Sequence, residues 1–540
     1  MKLFEFRLPL LACAGAVTVA ACSDASTPAP PAEGTAGSAG ADHGGEAGRA
    51  GSSTLAGTGG TTGGAAGANT GGADAGEVGS GGDPAAGGAP ERPVFPLKVL
   101  TLNNPNFALE LAAADVQASG ADVVGLQEVT PADAADLCAL LGPEWTFVQE
   151  DRVNTFAIVS RLPILRRIGV TEETRGGIGA TIEVAPGLRA HVFDTHGMYD
   201  PYGPYQLGID GMALDDVLAS EEAVRMPGLR ELIELSAPYV AVDDAVFLVG
   251  DFNAPSHLDY DPPVPWPTSV APTEAGFVDS YATLHPTNQK RAACEFAIDD
   301  PGITWTQLPE AEPNGCYDRI DFVYFSAGDA EPTDAHTIDV ASSDHRAVLT
   351  TFEITGPERD AKPSRELPRD TAAINGRRAL LTWTPALDAG SEEVFLDSAD
   401  ATSSIGSSEL GQLWSPLLAP NTTYSWRVGD GDTWTFTAGA GGGLTPDKAS
   451  YAPGETVSVA FDGADSALDW IGLYARRAAH GPGTTASVWS YLNGDTAAPA
   501  SVIADGSVSL LAPTEPGSYA LRFFHDDGYQ LEDELFITVE

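Results

Sequence analysis

Asn103 follows Leu100-Thr101-Leu102, Glu128 follows Val123-Val124-Gly125-Leu126-Gln127, and His196 follows Phe193-Asp194-Thr195. An amide, a carboxylate and an imidazole thus each stand at the end of an apolar run. Asp251 and Asn253 end a fourth run, Leu248-Val249-Gly250, and the pattern closes with Tyr317-Asp318-Arg319-Ile320-Asp321 and Ser343-Asp344-His345. Residues two apart on a strand share a face, so Asp251 and Asn253 can serve one centre. Carboxylate and amide oxygens suit a hard cation such as Mg²⁺, which keeps several waters and is held by one or two carboxylates together with a substrate phosphate. Two imidazoles beside such a site bind and protonate phosphate oxygens. The chemistry open to this set is in-line attack of water on phosphorus, helped by positioning and by charge stabilisation.

For these side chains to meet, the runs that precede them must be neighbouring strands. Alternating or buried β patterns occupy 97–102, 122–127, 156–160, 189–195, 245–250, 319–325 and 346–354, with helical patterns at 107–118 and 131–141 and one long helix over 215–235. Many strands with few helices in one stretch imply two packed sheets with helices outside. Beyond Gly356 the pattern changes to short β runs split by Gly, Pro, Asp and Ser, read as two all-β sandwich modules at 368–438 and 444–540. The turn into Thr423-Tyr424-Ser425-Trp426 resembles a late strand of fibronectin type III modules. Trp470, Tyr474, Trp489 and Tyr491 suit either a glycan or protein partner or, more often, the core of such a module.

The chain has 540 residues and a formal net charge of −48, from 76 acidic and 28 basic side chains, which argues against nonspecific binding of nucleic acid or anionic lipid. A divalent cation inverts that logic locally, so a phosphoester substrate stays open. Residues 1–21 read as an export signal, with Lys2 and Arg7 ahead of an apolar stretch too short to span a bilayer comfortably. Val19-Ala20-Ala21-Cys22 resembles a bacterial lipobox, which implies acylation of Cys22 and a membrane anchor. The expected location is the bacterial cell envelope, lipid-anchored at the outer membrane, or the extracellular space. Residues 22–92 are too poor in aliphatic and aromatic side chains to fold and read as a flexible tether; their glycine pairs lack the strand and Lys-Ser/Thr of a phosphate-binding loop. Export permits a disulfide, and Cys294 with Cys316 is the expected pair, while Cys138 reads as a buried thiol in a helix.

Taken in order, the six polar segments resemble the endonuclease/exonuclease/phosphatase superfamily, which includes DNase I-like nucleases, abasic-site endonucleases, inositol polyphosphate phosphatases and neutral sphingomyelinases. The resemblance covers about 94–354, within a domain bounded at 93–356. It implies an α+β fold, a four-layer α/β/β/α sandwich, and dependence on Mg²⁺ or Mn²⁺. By the same resemblance Glu128 ligates the metal, with Asn103 and Asp344 close to it. Asp251 handles the attacking water, Asn253 fixes the water or the phosphate, and Asp321 orients His345. His196 is the second phosphate-facing imidazole and a candidate acid. Asp318 is the alternative partner for His345. Asn154 stands where relatives place a glutamate for the first histidine, a departure that weakens acid catalysis by His196.

The expected substrate is a phosphoester in nucleic acid, in a phospholipid or in a small phosphodiester, acted on by a monomer outside the cytoplasm. The loop Met198-Tyr199-Asp200-Pro201-Tyr202-Gly203-Pro204-Tyr205-Gln206 is unusually aromatic, fit either for stacking on a base, sugar or choline-like cation or for packing onto the body. The competing reading is a surface-binding lipoprotein with adhesive β modules and a vestigial phosphoesterase domain.

Overall fold

The computed structural model describes residues 92–104, 108–149, 155–169, 176–310, 312, 315–374, 376–476, 478, 480, 484 and 486–540. The expected leader, the tether up to residue 91, Cys22, Phe107 and Asn154 lie outside the described residues.

The first lobe begins with β1 (Val94–Asn103), α1 (Leu109–Ser119), β2 (Val123–Val129), α2 (Pro131–Leu141), β3 (Thr146–Gln149) and β4 (Thr155–Ser160). Next come β5 (Ile164–Gly169), β6 (Ile178–Ala185), β7 (Leu188–His196), α3 (Gly203–Gly208), α4 (Leu214–Val224), α5 (Met226–Val240) and β8 (Ala245–Asp251). The lobe closes with α6 (Pro267–Glu274), β9 (Phe277–Asp279), α7 (Ser280–Leu284), β10 (Asp321–Ser326), β11 (Ala330–Ile338) and β12 (Ala347–Thr355). These strands make two six-stranded sheets, ordered β11-β12-β1-β2-β4-β3 and β5-β6-β7-β8-β10-β9.

Side-chain alternation explains why the sheets stack. In β1, Leu97 and Val99 enter the core shared by both sheets, while Leu100 and Leu102 pack outward with Val116 of α1 and Leu137 of α2. In β8, Phe247 and Val249 enter the shared core, while Val246 and Leu248 pack outward with Leu229 and Leu232 of α5. Each strand is thus apolar on both faces, and helices cover both outer faces, giving the α/β/β/α layering.

The single helix expected over 215–235 is instead two, α4 and α5, divided at Arg225. Pro227 has no N–H to continue the ladder and its ring crowds the preceding turn. The strand expected from Arg319 begins at Asp321. Cys294 and Cys316 are joined as a disulfide, and Cys138 is buried in α2.

Two β sandwiches follow, each a three-stranded sheet facing a five-stranded one, and both share one topology. In each module the first, third and sixth strands form the smaller sheet; the larger runs second, eighth, seventh, fourth, fifth, with its short second strand parallel to the eighth. The opening strand of the first module, Ser364–Leu367, precedes the boundary expected at 368. Trp470, Tyr474 and Tyr491 are buried in an aromatic cluster with Phe524, so these three pack the module. Arg189 of β7 reaches into the first module, donating to the carbonyls of Gly411 at 3.2 Å and Trp383 at 3.3 Å.

Close approach of β7 to β8 depends on Gly250, whose φ is +142° and whose added Cβ would lie 2.0 Å from the Thr195 carbonyl oxygen. Gly250→Ala should cost about 3 kcal/mol, read as a lower urea midpoint, because both the backbone angle and the space exclude a methyl group. Gly169→Ala, where nothing lies within 4 Å, should stay close to the parent. Equal midpoints for the two variants would contradict this account of the β7–β8 contact.

Candidate active site

The faces that enter the shared core carry the site residues once the apolar residues run out. In β7 the inward series is Ala190, Val192, Asp194, His196; in β8 it is Phe247, Val249, Asp251; in β10, read backwards, it is Phe325, Val323, Asp321. His196 and Asp321 are the lateral partners of Asp251 on either side, so three adjacent strands deliver imidazole, carboxylate and carboxylate at one level. The opposite sheet supplies Asn103 from the inward series Leu97, Val99, Thr101, Asn103.

Glu128 breaks this rule of alternation. It follows the inward Gln127 and should point outward, but it has φ +58° at an irregularity in the β2–β4 pairing. An extra residue in the left-handed conformation re-aims a side chain, and here it brings the carboxylate to the strand ends. Its Oε1 lies 3.3 Å from Asn103 Nδ2 and 3.7 Å from His196 Nε2. Asn253, just past the end of β8, is also left-handed, at φ +48°.

Asp251 is the hub. Its Oδ2 accepts from Asn103 Nδ2 at 3.0 Å and Asn253 Nδ2 at 3.1 Å, and its Oδ1 accepts from the Asn253 N–H at 2.8 Å. His196 Nε2 stands 3.6 Å from Oδ2 and His345 Nε2 3.9 Å from it. His345 Nδ1 in turn holds Asp321 Oδ2 at 2.9 Å. Burial, then the nearby Asp321 charge, pushes the Asp251 carboxyl up to about 7. Burial works against charge on His345, but Asp321, Asp251 and Asp344 outweigh it and push the imidazole up to about 10. His196 is held below the usual imidazole range by burial, which the Glu128 charge only partly offsets.

One ligand atom from each of Asp251, Asp321 and His345 lies within 4.8 Å of the others, a spacing that a cation could bridge. Asp251 Oδ2, Asp321 Oδ2 and His345 Nδ1 are already hydrogen-bonded. Among the buried oxygens left without a hydrogen-bond partner are Asn103 Oδ1, Asp321 Oδ1 and Asp344 Oδ1 of the predicted set, and the Glu128 side chain is 39% exposed. An all-oxygen set with uncompensated lone pairs fits a hard divalent cation. The geometry therefore brings Asn103, Glu128, His196, Asp251, Asn253, Asp321 and His345 into one connected set, with Asp344 adjoining through its chain neighbour. Asp318 is elsewhere: its carboxylate accepts from Tyr202 at 2.7 Å and Tyr260 at 2.5 Å, so Asp321 is the partner of His345.

Two groups that support the site were not singled out in the sequence. Beneath it, Gln127 Nε2 donates to Asp194 Oδ1 at 2.5 Å and Thr101 Oγ1 to Gln127 Oε1 at 3.3 Å, tying the sheets together; burial holds Asp194 well above the usual carboxylate range. Gly125 makes room, since a Cβ there would lie 2.7 Å from Asp194 Oδ1. Polar residues recurring at period two within otherwise apolar strands were the signal for this layer. Beside the site, Thr304 Oγ1 accepts from the N–H groups of Ile320 and Asp321 at 3.0 and 3.1 Å. Thr306 Oγ1 and the Gln307 N–H both donate to the Asp344 carbonyl, Gln307 Nε2 to that of Ser343, and Trp305 packs its ring 4.9 Å from that of His345. Residues 304–307 thus clamp both ends of the Asp321–His345 pair. Lying inside the disulfide loop, they read in the sequence as irregular.

Residues 100–345 match the sequence pattern of the Endonuclease/Exonuclease/phosphatase family. The chain is 30% identical over 227 residues to an uncharacterized protein of Caenorhabditis elegans, covering 38% of this chain and 68% of that one. Among solved structures it is similar to a D. rerio TDP2 humanized by 14 mutations, at 17% identity over 48% of this chain and 98% of that one, with a TM-score of 0.34. It is also similar to an AP endonuclease from Archaeoglobus fulgidus, at 18% identity over 47% and 98%, TM-score 0.33. A third is the 3′ phosphatase NExo from Neisseria bound to a product DNA hairpin, at 21% identity over 47% and 98%, TM-score 0.32. With the strand-end constellation, the matched pattern and the relative agreeing, the chain belongs to the endonuclease/exonuclease/phosphatase family.

Proposed function

We propose that the protein is an exported hydrolase of phosphoester bonds that depends on Mg²⁺ or Mn²⁺ and is anchored to the bacterial envelope through Cys22. The observation that carries the catalytic reading is the convergence on Asp251 of two amides and two imidazoles, with unpartnered oxygens beside them. Glu128, Asn103 and Asp344 would hold the cation. When bound, it supplies charge for the phosphate oxygens and lowers the pKa of a coordinated water.

The residues divide the remaining work. Asp251, pushed up to about 7, is poised to accept a proton from the attacking water near neutral pH. Asn253 Nδ2 fixes the orientation of that carboxylate while donating to the Gly197 carbonyl at 2.9 Å. His345, kept cationic by Asp321, offers Nε2 to a phosphate oxygen as charge grows there. His196, held below the usual imidazole range by burial, gains a proton more easily beside a phosphate, in keeping with the candidate acid role that the family resemblance implies. The export and anchoring parts of the reading rest on residues 1–22 alone.

Hydrolysis should be found in a panel of DNA, RNA, sphingomyelin, inositol phosphates and an aryl phosphodiester with either metal; failure on all of them would favour the adhesive-lipoprotein reading. Glu128→Gln should keep the fold while raising the Mg²⁺ needed for half-maximal rate at least about tenfold, since an amide lacks the charge that holds the ion. An unchanged metal titration removes Glu128 from the site. Asp251→Asn should lower kcat by about a hundredfold or more, His345→Ala should lower kcat and weaken phosphate binding together, and the double variant should be only slightly worse than the poorer single one. Additive losses would show that the two side chains act independently. Cys22→Ser should turn a membrane-pelleting protein into one that does not pellet, and identical detergent partitioning of the two would defeat the anchor.

A further inference from the structure

The aromatic loop after His196 divides into tyrosines that pack and one that does not. Tyr202 is buried with its hydroxyl on Asp318 at 2.7 Å, and it meets Tyr205 edge-on at 4.8 Å, while the Tyr205 hydroxyl bonds Glu312. Tyr199 is 74% exposed and Met198 55% exposed.

The backbone under these two exposed residues is nevertheless held from both sides. Gly197 donates its N–H to the Asp251 carbonyl at 2.8 Å and accepts from Asn253 Nδ2 at 2.9 Å. Arg225 Nη2 donates to the carbonyls of Tyr199 at 3.3 Å and Pro201 at 2.7 Å, and its Nη1 is paired with Glu221 at 2.8 Å, both of these side chains being 1% exposed. Burying an ion pair carries a large desolvation cost, and here it holds the backbone that carries an exposed ring. An aromatic side chain with only two torsions on a held backbone loses little conformational entropy when something packs on it.

Position decides what that something is. Two peptide units separate Tyr199 from Gly197, so their Cα atoms are at most about 7.6 Å apart. Gly197 is itself bonded to the strand end that carries Asp251. The Cα of Tyr199 is therefore close enough to the strand end for its side chain to reach a group esterified to a phosphate at Asp251. A single aromatic face beside a methionine suits a planar ring; a quaternary ammonium is recognised by several aromatic rings forming a cage. Asp200, Asp210, Asp215 and Asp216, on the same loop and the start of α4, are all exposed and repel an extended polyanion.

Building on the phosphoesterase reading above, we propose that Tyr199, with Met198, forms a subsite that stacks the planar ring, a nucleobase or an aryl group, of a small phosphoester. Titration of the full chain in the presence of Mg²⁺ with adenosine monophosphate, ribose phosphate and phosphocholine separates the cases without relying on turnover. Adenosine monophosphate should bind about tenfold more tightly than ribose phosphate, the worth of one stacked base. Tyr199→Phe should keep that preference and Tyr199→Ala should abolish it, with thermal midpoints unchanged because the residue is 74% exposed. Equal binding of the two by the parent, a preference that survives in Tyr199→Ala, or a Tyr199-dependent gain for phosphocholine instead would each overturn the subsite while leaving the phosphoesterase intact. No binding of any of the three would overturn both.

Discussion

The narrow space between two sheets, about 10 Å wide, is the constraint on which the site depends. Every strand that borders it must present apolar side chains for most of its length, and Leu97, Val99, Val192, Phe247, Val249 and Val323 do so. At one end of the slot the same faces present Asn103, His196, Asp251 and Asp321. These four are therefore oriented by the packing of the core below them, with no freedom to turn away. The layer between, Thr101, Gln127 and Asp194, pairs polar atoms across the sheets at the depth where apolar packing gives way to chemistry. Deleting a partner there would strand a buried polar atom and loosen the register that the site inherits.

Electrostatics follow from the same burial. Asp251 and Asp321 are each 1% exposed and lie side by side, so burial and then the neighbouring Asp321 charge push the Asp251 carboxyl up. His345 and the amides of Asn103 and Asn253 compensate part of that charge, and the unpartnered oxygens at Asn103, Asp321 and Asp344 mark what remains. On a chain of net charge −48 such a centre has little attraction for a phosphate by itself, and a divalent cation bound there would reverse that locally.

Much of this was legible in the residue order. Asn103, Asp251 and Asp321 stand at ends or starts of apolar runs, and strand alternation alone assigns them a common side. Glu128 was legible as a strand-end carboxylate, but its role as a metal ligand came only through resemblance, since alternation points it outward and a left-handed residue brings it back. The clamp at 304–307 works through side chain to backbone bonds between segments distant in sequence, which no local period announces. Helix breaking at Arg225 was signalled by Pro227 but masked by the continuous apolar pattern across it. The twin topology of the two β modules was not legible either, because strand order arises from pairing between runs of similar composition.

The central claim is that water attacks phosphorus at Asp251. Hydrolysis of a phosphodiester in water enriched in heavy oxygen, with the products weighed by mass spectrometry, tests it most directly. The account predicts that the label enters the phosphate-bearing product and that the alcohol released is unlabelled. Label in the alcohol would mean that the carbon–oxygen bond breaks, and the roles assigned to Asp251 and His345 would be contradicted.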